Sequence, residues 1–350
     1  MKKIIFLFVF AILLPMGASA YDAEIGGICY NFSGDEATVT YRDNSGNSYS
    51  GAIVIPESVP YGGKVYRVTS IGNSAFFNCS GLTAITIPDR VTIIDLWAFA
   101  NCSAINSITI PNGVTNITPH VFQNCTSLTS ITIPSSVISI GIGAFYGCTS
   151  LTSIAIPNDV TSIGNIAFLG CSSLTSITIP EGITKIGYST FRKCSSLTSF
   201  IIPNSVTTID GEAFQDCSSL ASVTIPNGVT NIEDGAFSGC SSLTDVYCYA
   251  AEPPSVRSIF EDEVWDGYPF DQYYIKEHTM LHVPASSLEK YKTALRWSDF
   301  SNIVPITGTS VNNILFNVKS NYFDLQGRKL STKPSQGIYI KNGQKKAVNK

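Results

Sequence analysis

Thiols dominate the potential chemistry of this chain. It carries ten cysteines, and eight of them, Cys79, Cys102, Cys125, Cys148, Cys171, Cys194, Cys217 and Cys240, fall 23 residues apart without a slip. Evenly counted thiols in an exported chain suggest disulfides, and thiols paired at short spacing suggest zinc. The fixed period argues against both. Residues at one position of a stacked repeat lie ~4.8 Å apart with parallel Cα–Cβ vectors, whereas a disulfide needs Cβ atoms ~3.8 Å apart and converging. No Cys-x-x-Cys spacing occurs. The expectation is a buried thiol column in which cysteine acts as a small hydrophobe. Cys29 and Cys248 stand outside it, one near each end.

Acid–base chemistry has little to draw on. His120, His278 and His282 occur singly, and none lies near a nucleophile motif such as G-x-S-x-G. Glu212 with Asp216, and Glu233 with Asp234, read as solvated turn residues. No catalytic residue, metal or cofactor is expected.

The elements that carry these residues repeat with them. In the copy CSSLTSITIPEGITKIGYSTFRK, Leu174-x-x-Ile177-x-Ile179 has strand alternation and Pro180 stops the strand. Pro180-Glu181-Gly182 is a turn, Ile183 to Ile186 a second short extended piece, and Gly187 a bend. Phe191 fills the core three residues before Cys194, and phenylalanine keeps that place from Phe76 to Phe237. A repeat this small cannot bury enough apolar surface to fold alone, so neighbours must stabilise one another and the ends need caps. The fold class is mainly β: a solenoid of about eight repeats between two caps, followed by a small β tail.

The run L-x-x-I-x-I-P, V-T-x-I-G and A-F resembles the bacterial BspA-like leucine-rich repeat family, from about Ile53 to Cys248. That resemblance implies a non-enzymatic bacterial surface protein of adhesin type, binding host or extracellular-matrix proteins. It transfers no binding residues, because the shared motif is the buried scaffold.

The ends divide the chain further. Residues 1–20 read as a signal peptide cleaved after Ala20, so an exported protein at the cell surface or beyond is expected. Residues 21–52 form a β cap, 53–248 the solenoid, 249–306 a C-terminal cap with an insertion, and 307–350 a linker and basic tail. Nine extra residues around Tyr61-Gly62-Gly63-Lys64 suggest a hairpin, Leu281 to Pro284 one last strand, and Ser286 to Leu295 a serine-capped helix. Tyr322 to Leu330 and Gly337 to Ala347 are two β segments, with Asn342-Gly343 as a hairpin turn. They resemble the end of the sorting domain recognised by the type IX secretion system; a small β appendage is the alternative. No apolar run after residue 20 reaches the roughly 18 residues of a spanning helix.

Charge narrows the partners. Residues 21–310 hold 12 Lys/Arg against 25 Asp/Glu, or −13, while 311–350 hold eight Lys/Arg against Asp324 alone, or +7. An acidic body argues against nucleic acid. The partner expected is an extracellular protein or glycan; a structural, self-assembling role is the alternative, with the oligomeric state open. Recognition must use positions that break the repetition. Tyr146, Leu169 and Arg192 follow the core phenylalanine on successive repeats and offer an apolar-plus-arginine patch. Trp97 and Tyr188 stand on the preceding turn, and Trp265 and Tyr268 belong to the aromatic, acidic insertion that also holds Phe260, Phe270, Tyr273 and Tyr274, which reads either as a loop packed onto the solenoid end or as a binding loop. The strand columns Ser107 to Ser222 and Thr86 to Thr224 form a flat hydroxyl face, interrupted by Ala155 and Ile201.

Overall fold

The computed structural model describes residues 21–42, 48–257, 269–270, 277–306, 322–323, 329–330, 337–341 and 344–348. The signal segment, Trp265 and Tyr268 lie outside them. What it shows is a β-solenoid of about nine turns whose rungs stand 23 residues apart in sequence.

Each turn contributes two short parallel strands because its Leu/Ile alternation buries every second side chain. The broader ladder runs Ser107–Thr109, Ser130–Thr132, Ser153–Ala155 and Ser176–Thr178, paired in strict register as Ser107↔Ser130 and Ser153↔Ser176. A second ladder includes Asn116–Ile117, Ser139–Ile140 and Ser162–Ile163. The third side is a tight turn, and it too is hydrogen-bonded from rung to rung. The amides of Phe122, Phe145 and Phe168 donate to the carbonyls of Ala144, Ala167 and Thr190 at 2.8–2.9 Å.

The core follows from that stacking. Phe76, Phe99, Phe122, Phe145, Phe168, Phe191, Phe214 and Phe237 form one pile with centroids 5.2–5.7 Å apart and planes within 17°. Beside it runs the thiol column, fully buried and free of disulfides. Here the expectation of a passive hydrophobe needs correction. The Sγ of Cys102 donates to the Phe76 carbonyl at 3.0 Å, and six further cysteines repeat the bond up to Cys240 with Phe214 at 3.2 Å. Since Phe76 O also accepts the Cys79 amide at 3.1 Å, the thiol uses the second lone pair of a buried carbonyl.

The N-terminal end caps the pile. Strands β1 (Ala23–Ile25), β2 (Ile28–Ser33) and β3 (Glu36–Thr40) form an antiparallel meander, and β3 pairs in parallel with β6 (Lys64–Ile71). The broad ladder starts at β4 (Gly51–Val54), and β5 (Ser58–Tyr61) forms the expected hairpin with β6, Tyr61 opposite Lys64. Tyr49 lies 4.9 Å from Phe76 and donates from its hydroxyl to Thr40 O at 2.6 Å.

At the other end the insertion packs onto the solenoid at Phe270, and two expectations change. Phe270 is core: it is 3% exposed and stacks on Phe237 at 5.1 Å, with Trp297 and Phe300 closing the pile. Met280–Val283 is not the last strand, because Asn302–Pro305 pairs beyond it in parallel. The helix is Leu288–Thr293, and Ser286 does not cap it; a 3₁₀ turn, Ala285–Ser287, comes first and Ser287 Oγ donates instead to Ala251 O at 2.8 Å. Cys248 sits buried 3.1 Å from Tyr291 Oη. In the tail, Tyr322–Phe323, Lys329–Leu330, Gly337–Lys341 and Gln344–Val348 make a separate antiparallel sheet.

The thiols link stability to pH. Burial pushes Cys125 and Cys240 up from an ordinary 9.0 to about 12, and Cys148, Cys171 and Cys194 well above 9.0. The folded state therefore holds its protons more tightly than the unfolded chain does. Stability should be undiminished below pH 9.0 and fall as pH rises toward about 12. Urea midpoints measured across that window should drop, with no alkylation of native thiols at pH 8; a flat profile with labelled native thiols would contradict the latched column.

Candidate functional site

Residue types vary most along the turn edge. The chain reverses there twice per repeat through left-handed backbone. One such column is Asn78, Asn101, Asn124, Gly147, Gly170, Lys193, Asp216 and Gly239, with φ between 54 and 74°. Asn and Gly suit that conformation, and the three asparagines bond in series, Nδ2 to Oδ1, at 2.6 and 2.9 Å. The other column, four residues earlier, is Ser74, Trp97, His120, Gly143, Ile166, Ser189, Glu212 and Gly235, with φ between 49 and 64°. Bulky residues there are strained by roughly 1–2 kcal/mol each. Gly187, read as the bend, has no such φ; a Cβ on it would lie 2.6 Å from Asn165 Oδ1, so close packing of rungs is its role.

The expected site residues occupy this edge. Tyr146, Leu169 and Arg192 stand on consecutive rungs, their carbonyls accepting the amides of Asn124, Gly147 and Gly170 at 2.6–2.8 Å, and all three are half-buried. Trp97 stacks on His120 at 4.3 Å and meets Phe77 edge-on at 6.2 Å, while His120 Nδ1 lies 2.8 Å from Gln123 Oε1. Arg192 is tethered: its Nη1 pairs with Glu212 Oε2 at 2.5 Å, and Ser189 Oγ donates to the same oxygen at 3.0 Å. Burial, then a hydrogen bond with Glu212, raises the Tyr188 phenol above its ordinary range. The edge thus carries an aromatic group at Trp97 and an apolar-to-ionic strip from Tyr146 to Glu212.

A second cluster escaped the sequence reading. Tyr247 and His282 stack at 4.2 Å on neighbouring strands of the broad ladder, and His282 Nε2 lies 2.8 Å from Asp245 Oδ1. The insertion between them concealed their shared register, although Leu281-His282-Val283 kept the strand alternation that would have placed His282 outward. Among the described residues no group of three or more His, Cys, Asp or Glu could hold a metal ion, and no helix is long and apolar enough to cross a membrane.

The family description "BspA type leucine rich repeat region (6 copies)" matches residues 65–171 and 138–260, more than half of the 350 residues. The chain belongs to the BspA-type leucine-rich repeat family. A leucine-rich repeat protein from Bacteroides ovatus is 27% identical, with 82% of this chain covering 77% of that one at a TM-score of 0.61. A leucine-rich cell surface protein from Faecalibacterium prausnitzii is 24% identical over 65% of this chain and 94% of that one, TM-score 0.29. The leucine-rich repeat protein of T. pallidum is 29% identical over 64% and 81%, TM-score 0.36. No curated protein matches the sequence.

The strain on that edge is measurable. Ile166→Gly should shift unfolding free energy by less than about 1 kcal/mol, because relief at a β-branched left-handed residue offsets the added chain flexibility. Gly147→Ala, whose Cβ would lie 2.2 Å from Asn124 Oδ1, should lose stability, by roughly 1–3 kcal/mol. Denaturant unfolding compares the two, and the opposite ranking would contradict the assignment of strain.

Proposed function

We propose that this BspA-type protein is an exported, non-enzymatic binding protein of the bacterial exterior, adhesin-like, recognising an extracellular protein or glycan. The observation that carries the reading is the turn edge. Large side chains, Trp97 and Ile166 among them, stand where glycine would fit the backbone best. They spend stability where the core asks for none of them, which is the pattern of retained function. Aromatic and arginine residues are also those that dominate protein interfaces. The signal segment ending at Ala20 supports export, and the basic tail supports a sorting or anchoring step. Trp265 and Tyr268, outside the described residues, are proposed as further contact residues on the strength of their type alone.

A self-assembling role has one observation in its favour. The broad ladder ends at Gly51–Val54 and Asn302–Pro305, each paired on one side among the described residues, and Val54 is 68% exposed. Such edges template further pairing.

Surface plasmon resonance over immobilised matrix proteins and mucin tests the first reading. The exported form should begin at Tyr21 and bind one of them saturably. The triple variant Trp97→Ala, Tyr146→Ala, Leu169→Ala should weaken binding about tenfold or more with unchanged Tm. Arg192 is left alone, since removing it strands Glu212. No binding to any surface, together with association of the chain with itself at low concentration, would favour assembly instead.

A further inference from the structure

The broad face of the ladder differs in kind from the turn edge. From Ala84 to Thr224 its two outward columns contain no charged residue; they are exposed from rung to rung as far as Ile201, with Ser222 and Thr224 half-buried. Apart from Ser107, whose Oγ donates to Asn106 Oδ1 at 3.2 Å, their hydroxyls are also unspent among the described residues. In the adjoining column Thr129 and Thr175 donate back to the preceding repeat's carbonyls Asn106 O and Thr152 O at 3.1 and 3.2 Å. Ser130, Ser153, Ser176, Thr132 and Thr178, one or three places further along their strands, make no such bond among the described residues. The face therefore presents two rows of hydroxyl donors and acceptors, spaced ~4.8 Å along the solenoid.

One end of those rows is closed by rings. Tyr247 continues the threonine column, with Thr224 beside it on one strand and His282 on the next. His282 covers one face of the phenol ring; Thr224 is too short to cover the other. Asp245 fixes the imidazole through Oδ1 and accepts the Thr244 hydroxyl through Oδ2 at 2.8 Å, so the ledge is held rigidly. A flat, uncharged, hydroxyl-bearing floor ending in a half-open aromatic ring suits a neutral saccharide, whose hydroxyls exchange bonds with the floor while its polarised C–H groups lie on the ring. A protein partner fits less well, because the floor lacks the arginine and aromatic anchors that protein interfaces use, Ile201 being its one large exposed apolar residue.

We infer that this face binds a neutral glycan, laid along the serine and threonine columns with one sugar ring stacked on Tyr247. The inference rests on the reading of the chain as an exported binding protein and gives its second surface a ligand class.

Affinity electrophoresis through gels containing soluble starch, galactomannan or yeast mannan tests it, with heparin and polygalacturonate as charged counterparts. The chain should be retarded by at least one neutral polysaccharide. Tyr247→Ala should weaken that retardation about tenfold. Thr178→Asp, a change at an exposed position of the broad face, should also weaken it. Free migration in all three neutral gels, retardation by the charged polymers alone, or Tyr247→Ala and Thr178→Asp both binding as the parent does would overturn the assignment. If these gels fail while binding through the turn edge survives, the glycan site falls and the adhesin-like role stands.

Discussion

Every repeat of this solenoid is chemically incomplete by itself, and its neighbour completes it. The carbonyl of Phe145 shows the dependence in miniature: it accepts the amide of Cys148 from its own turn and the thiol of Cys171 from the next. Ring stacks, strand ladders and the turn ladder are spaced to match, so a change that shifts one contact shifts all three. Buried carbonyls need partners, and a thiol reaches this one while filling the small volume left beside the phenylalanine pile.

Sequence reading recovered what is locked to the 23-residue period and little that is not. Phe191, Cys194 and Leu174 announce their burial because their types recur, and the Tyr61-Gly62-Gly63-Lys64 hairpin announces itself by chain length and glycine. Asn78, Asn101 and Gly147 also signal left-handed backbone through residue type. Trp97, Ile166 and Glu212 share a left-handed column without any common chemistry, so only coordinates expose it. Phe270 misleads for a related reason: it lies in a stretch dense with acids and aromatics, yet it continues the core pile after an interval that breaks the period. Tyr247 and His282 are 35 residues apart and meet only because that interval loops away and returns in register.

The division of labour follows. Positions fixed by stacking are spoken for by carbonyls, rings and neighbouring turns. Side chains on the turn edge and the broad face are held by the same ladders but satisfy no core requirement. The edge is varied, strained and partly ionic, with Arg192 committed to Glu212; the broad face is uniform and uncharged up to Tyr247. Two surfaces of such different character on one rigid frame are suited to two kinds of partner, and the net charge of −13 on residues 21–310 keeps polyanions away from both.

The dependence of each repeat on the next is the claim from which the rest follows, and hydrogen exchange with and without Cys171→Ala examines it most directly. Loss of one thiol leaves the Phe145 carbonyl with its own turn's Cys148 amide alone and cuts its bond to the next turn, so amides of the turns on both sides, those of Phe122, Phe145 and Phe191 included, should lose protection together with that of Phe168. Loss confined to the peptide that carries residue 171, with neighbouring turns exchanging as in the parent, would contradict it.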